Sequence, residues 1–146
     1  MERLLKINYL LDKKNGKIQA VSNQTHKIKG VNYNNSVRNA FKNGNKNQYI
    51  SIHNHPSWYP PSLSDIAALS QVSKNGTVAM GLTIGHDGSM YWYTASAKKF
   101  KKNDNLNYGI RLKKNLHISY NEVVVQEATL AEFVNKYGFK FGKIGD

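Results

Sequence analysis

Residues 47–72 read NQYISIHNHPSWYPPSLSDIAALSQV. The first part, through His53, is a short run of apolar and β-favouring residues, and it predicts a strand that ends at the first histidine. The prolines Pro56, Pro60 and Pro61 forbid regular structure after it. From Ser62 the pattern changes period: Ile66, Leu69 and Val72 recur at helical spacing. A strand, a stiff loop and a helix in that order mark an α/β unit. The histidines then sit at the C-terminal end of a strand, where ligands bind in open α/β sheets.

The flanks extend that unit. RLLKINYLLDKKNGKIQAV predicts a hairpin turning at Asn15-Gly16, a pair that supplies the positive φ of a tight turn. SNQTHKIKG is polar and predicts a loop. NNSVRNAFKNG predicts a short helix, capped by Asn34, Asn35 or Ser36 and stopping at Gly44, with Val37, Ala40 and Phe41 on one face. TVAMGLTIGHDGSMYWYTA predicts a second hairpin turning at Asp87-Gly88, with Tyr91 and Tyr93 on one face and Trp92 on the other. AKKFKKNDNLNYGIRLKK is open between loop and helix. SYNEVVVQEATLAEFVNKYG predicts a helix with a Ser119/Glu122 capping box and a stop at Gly138. The order ββ-α-β-α-ββ-α gives an α/β class: a single domain over residues 1–146, with a mixed central sheet and flanking helices.

Composition bounds the chemistry. With 146 residues the chain is long enough to bury a real core. It has no cysteine, which excludes disulfides, thiolate metal sites and a cysteine nucleophile. No run approaches the roughly 18 apolar residues of a membrane span, so no membrane partner is expected. MERLLKINYLLDKK reads as a strand and not as a signal peptide, because charges break its apolar core. These features point to the cytoplasm. The net charge of +12 is uneven. No acid lies between Asp12 and Asp65, and AKKFKKNDNLNYGIRLKK carries seven bases and one acid. Such a field suits nucleic acid or an acidic protein surface, although a lysine-rich solvated surface has the same composition.

His53 and His55 are two residues apart on an extended segment, so both imidazoles point to one side. That is a workable metal bite, and Asp65 can complete it if the loop folds back. Two histidines and a carboxylate leave a fourth position open, as in catalytic zinc sites, where the water pKa falls toward ~7. Ser62 and Asp65 also form Ser-x-x-Asp before an apolar run, a helix-capping signature. The two readings are compatible, because a cap and a ligand both belong at the helix mouth. His26, His86 and His117 are further candidates; His86 reads most simply as a turn residue, and His26 falls in a polar loop. Tyr91, Trp92 and Tyr93 read as sheet packing rather than as a stacking platform. Trp58 and Tyr59 lie between the ligands and form either a substrate-groove wall or a clamp on the neighbouring helix.

HNHPSWYPPSLSDI resembles the metal-binding signature of the JAB/MPN (JAMM) metalloproteases, His-x-His followed by Ser-x-x-Asp. It looks most like the RadC-type branch, with which NNSVRNAFKNGNKNQYISI also agrees. The interval from His55 to Ser62 holds six residues, one fewer than the family pattern. That shortening, GHDGSMYWYT and NKYGFKF are similar to the JAB-like C-terminal domains of phage head-morphogenesis (MuF-type) minor capsid proteins. The resemblance spans most of residues 4–142 and implies a cytidine-deaminase-like architecture. It implies zinc held by His53, His55 and Asp65, with Ser62 hydrogen-bonding either the developing oxyanion or a metal ligand. Glu2 would be the general base, although Glu2 to Asp12 is two residues longer than the family interval; the even offset keeps its strand face. The implied activity is hydrolysis of a peptide or isopeptide amide bond in a protein or peptide substrate. The protein would act in a bacterial or phage-infected cell, or with the virion. The alternative is a JAB-like binding module with little turnover, docking on nucleic acid or on an acidic phage or host protein.

Overall fold

Alternation of buried and half-buried side chains builds the central strands. In a computed structural model, residues 7–23, 34–55, 60–73, 76–118 and 121–145 are described. The first hairpin joins β1 (Ile7–Asp12) to β2 (Ile18–Asn23). Gly16 sits in its turn at φ 69°, the left-handed conformation that glycine adopts without cost. Helix α1 (Asn35–Asn43) follows; Asn34 is the cap among the three candidates, its side chain accepting the Val37 N–H at 3.1 Å. Strand β3 (Tyr49–Asn54) buries Tyr49, Ser51 and His53 and leaves Ile50, Ile52 and Asn54 half-buried. Helix α2 (Leu63–Val72) buries Ile66 and Leu69 at the expected spacing. The second hairpin is β4 (Val78–Ile84) and β5 (Met90–Tyr93), with Gly88 at φ 81° in its turn.

The sheet order is β2-β1-β3-β4-β5-β6. Only β3 and β4 run parallel, joined through α2; every other pair is antiparallel. The α/β class and mixed sheet are therefore as expected. All four helices send side chains into one core against the sheet face that carries Leu10, Tyr49 and Tyr93. Val37 and Phe41 come from α1, and Leu63, Ile66 and Leu69 from α2. The opposite face, with Leu11, Ile52, Leu82 and Trp92, is half-buried.

Three elements differ from, or add to, the sequence expectation. The basic segment left open is a helix, α3 (Asp104–Leu116). It is anchored by Tyr108, whose ring meets Phe133 edge-on. The last helix, α4 (Glu122–Tyr137), is capped by Asn121, not by a Ser119/Glu122 box. Asn121 immediately precedes the first helical residue, and its side chain accepts the Val124 N–H at 3.2 Å. Asparagine is as good a cap as serine; Ser119 lies outside the described residues. Gly138 ends α4 at φ 68°, as expected. The sixth strand, β6 (Phe141–Ile144), is the one the sequence pattern does not predict. It is four residues long and contains Gly142, which in a strand usually marks weakness. Here the missing side chain makes room, because a Cβ at Gly142 would lie 2.7 Å from Trp92 Nε1 on β5.

Candidate metal centre

The centre forms where β3 ends and α2 begins. His55 lies one residue past the strand, but its N–H donates to Ile84 O at 2.8 Å. That bond carries the β3–β4 ladder onward, so His55 stays extended and shares the face of His53. The two imidazole centroids are 4.9 Å apart. From the other side, Ser62 caps α2. The Ser62 N–H donates to Asp65 Oδ2 at 2.9 Å, and the Asp65 N–H donates to Ser62 Oγ at 3.3 Å. This reciprocal capping box, read from the sequence, locks the carboxylate over the first turn.

The lock aims Asp65 at the histidines. Its Oδ2 lies 3.1 Å from His55 Nε2 and its Oδ1 lies 3.3 Å from His53 Nε2. One ligand atom from each of the three residues falls within 4.8 Å of the others. His53, His55 and Asp65 are 0%, 7% and 1% exposed, so water screens these charges weakly. Burial pushes the Asp65 carboxyl up, but the two imidazoles outweigh it and hold the group well below the usual carboxylate range.

The spacing suits a cation. Two ligand atoms on a tetrahedral ion with bonds of about 2.0–2.1 Å stand about 3.3–3.4 Å apart. In this buried group only His53 Nε2 meets Asp65 Oδ1, at 3.3 Å, and a cation between the three residues would compensate the buried carboxylate. Two imidazole nitrogens and one carboxylate form a donor set for a divalent transition-metal ion. The buried His53-His55-Asp65 group can therefore hold a metal ion. No second such group occurs among the described residues.

The surroundings were only partly legible. Tyr93 reads as packing, and it is fully buried, but its hydroxyl also comes within 3.4 Å of His53 Nδ1. Gly81 makes this reach feasible: any Cβ there would overlap the Tyr93 ring. When His53 Nε2 faces a ligand position, Nδ1 carries the proton and donates it to Tyr93, which orients the ring. The sheet register sets Asn8 and Thr83 on either side of His53. Both are buried, and Asn8 Oδ1 and Thr83 Oγ1 make no hydrogen bond to a described residue. Asn8 Nδ2 donates to Ser51 Oγ at 2.8 Å. Tyr108 stands on the helical side; burial first, and then the Asp65 charge, push its hydroxyl pKa up. No local sequence signal marks these residues, which come from four separate elements.

Of the other predicted residues, Glu2, His26, Trp58 and Tyr59 lie outside the described residues. His86 is exposed in the β4–β5 turn and His117 is exposed at the end of α3, neither in the metal group. No helix among the described residues is long and apolar enough to cross a membrane. No protein-family model, curated protein or solved structure matches the chain. The fold and site define it as an α/β domain with a buried His-His-Asp group able to hold a metal ion.

Proposed function

We propose that the chain is a zinc-dependent hydrolase of the JAB/MPN type that cleaves a peptide or isopeptide amide bond. The observation that supports this most is the convergence of three buried residues, with the Asp65 carboxylate 3.3 Å from His53 Nε2 and 3.1 Å from His55 Nε2. The His-x-His and Ser-x-x-Asp spacing belongs to the same reading. Bound zinc supplies Lewis-acid activation of water at neutral pH. The protein side chains do the rest. The capping box positions the Asp65 carboxylate, the two imidazoles keep it charged, and Tyr93 orients His53. Ser62 Oγ accepts the Asp65 N–H, which leaves its own O–H to donate to the charge that develops on the scissile carbonyl oxygen. Glu2 takes a proton from water and passes it to the leaving amine.

The test begins with metal analysis of protein purified without chelator, where one zinc per chain is expected. Cleavage is then followed with a mixed peptide library and with host lysate. Glu2→Gln is expected to keep zinc and fold while cleavage falls by about 10²–10⁴-fold, the usual worth of general acid–base help. A protein that takes up no zinc at neutral pH would end this reading. Firm zinc binding without any cleavage would instead make the chain a binding module.

A further inference from the structure

A second surface of the molecule combines a cleft, exposed lysines and a stacked aromatic ring. A cleft of about 590 Å³ opens between α2 and the connection from β5 to α3, and Ser70, Gln71, Lys98, Lys99 and Phe100 are among its lining residues. The volume falls within the roughly 300–1,000 Å³ of small-ligand sites, room enough for a nucleotide unit.

Lysine-rich loops are normally loose, but this one is pinned at successive residues. The Ser96 N–H donates to Ser70 Oγ at 2.8 Å, and Ser96 Oγ donates to Lys98 O at 2.8 Å. The Ala97 N–H donates to Gly138 O and the Lys98 N–H to Tyr137 O, at 3.1 and 3.0 Å. Lys98, Lys99, Lys101 and Lys102 are all exposed on it. The nearby acid, Asp104, is buried and already accepts the Lys101 N–H. Lys136 adds its charge from α4, with its Nζ 5.3 Å from the Tyr137 ring centre.

Phe100 is the outer member of an aromatic column. It stacks on Tyr137 at 4.5 Å and 18°, and Tyr137 lies nearly parallel to Phe133 at 6.3 Å and 7°. Phe100 remains partly exposed and lines the cleft. A stacked aromatic ring beside exposed cations on a pinned backbone is the arrangement that takes an unpaired base and its phosphates. The molecule carries its own comparison. A second basic cleft, about 390 Å³, is lined by Lys13, Lys14 and Lys46 but also by Asp12, and among the described residues no aromatic ring lines it.

We infer that the α2/β5–α3 cleft binds single-stranded nucleic acid, with a base against Phe100 and the backbone phosphates on Lys98, Lys99, Lys101 and Lys102. This does not depend on the metal centre, and neither reading falls with the other.

The test uses fluorescence anisotropy of the full chain with a labelled oligothymidine and, separately, a duplex of equal length. Single strand is expected to bind more tightly, with affinity falling steeply as salt rises. Lys98→Gln with Lys99→Gln should weaken binding about tenfold or more and lower the salt slope by about 1.4, near 0.7 for each phosphate that is no longer neutralised. Lys13→Gln with Lys14→Gln removes the same charge elsewhere and should leave affinity within about twofold. Phe100→Leu should weaken binding about fivefold or more by removing the stacked ring, and Phe100→Tyr should restore it. The inference is overturned if low-salt binding is absent or if duplex binds as well as single strand. It is equally overturned if the Lys13/Lys14 pair weakens binding as much as the Lys98/Lys99 pair, or if Phe100→Tyr binds no better than Phe100→Leu.

Discussion

Asp65→Asn separates a metal ligand from a mere helix cap. The amide oxygen of asparagine can still accept the Ser62 N–H that Asp65 Oδ2 accepts at 2.9 Å, so the turn survives. What is lost is the negative charge facing His53 and His55. Without metal the cost is that of removing one partner from a buried charged group, about 3–5 kcal/mol, because Asp65 is 1% exposed and faces two imidazoles. Unfolding entropy near 2.1 cal/mol/K per residue gives about 0.3 kcal/mol/K for the 146-residue chain. The metal-free variant should therefore melt about 10–16 °C below the wild type. Zinc at one hundred times its Kd stabilises a folded state by about 2.7 kcal/mol, which raises the wild-type Tm by about 9 °C. The variant, lacking the only anionic ligand in the described group, should show little of that rise. Calorimetry of both proteins, with chelator and with buffered zinc, measures all four values. An equal zinc-induced rise in Asp65→Asn would show that the carboxylate is not a ligand. No rise in the wild type would remove the metal reading altogether.

Tyr93→Phe keeps the buried ring but deletes the hydroxyl near His53 Nδ1. Zinc affinity by chelator competition should fall about 10–100-fold with the fold retained, and unchanged affinity would show that the hydroxyl does not orient His53. Gly81→Ala places a Cβ inside the Tyr93 ring, so about 1–3 kcal/mol of stability should be lost in urea unfolding. A neutral result would mean that Tyr93 can rotate away at no cost. Asp104 tests the charge network beside α3. Burial raises its pKa, but the Tyr137 hydroxyl, the Lys101 N–H and the charges of Lys136 and Lys101 outweigh this and bring it below 3.8. A carboxylate lowered on folding contributes stability above its unfolded pKa and loses it as pH falls through the folded value. The Tm gap between wild type and Asp104→Asn should thus be widest at neutral pH and close below about pH 3.8; a gap independent of pH would show that the charge is not involved.

The sequence by itself determined the parts of this protein that depend on near neighbours. The period-two burial of β3, the Ser62–Asp65 capping box, and the glycine turns at Gly16 and Gly88 follow from steric and hydrogen-bonding preferences acting over a few residues. His53 and His55 share a face for the same reason, since strand side chains alternate. The His-His-Asp group was legible because its residues lie within thirteen positions, at the junction of one strand and one helix. Tertiary structure decided the rest. Tyr93 reaches His53 across forty residues only because Gly81, on the strand between them, has no side chain to block the ring. Asn8 and Thr83 flank His53 through sheet register, which no local pattern encodes. Helix α3 was ambiguous because its outer face mixes lysines with exposed Leu106 and Ile110, and burial of Tyr108 against Phe133 settles it as a helix. Strand β6 exists because β5 offers it an edge and Trp92 fits against Gly142. Its own residues have too weak a β preference to announce it, and cross-strand packing, not propensity, supplies the difference.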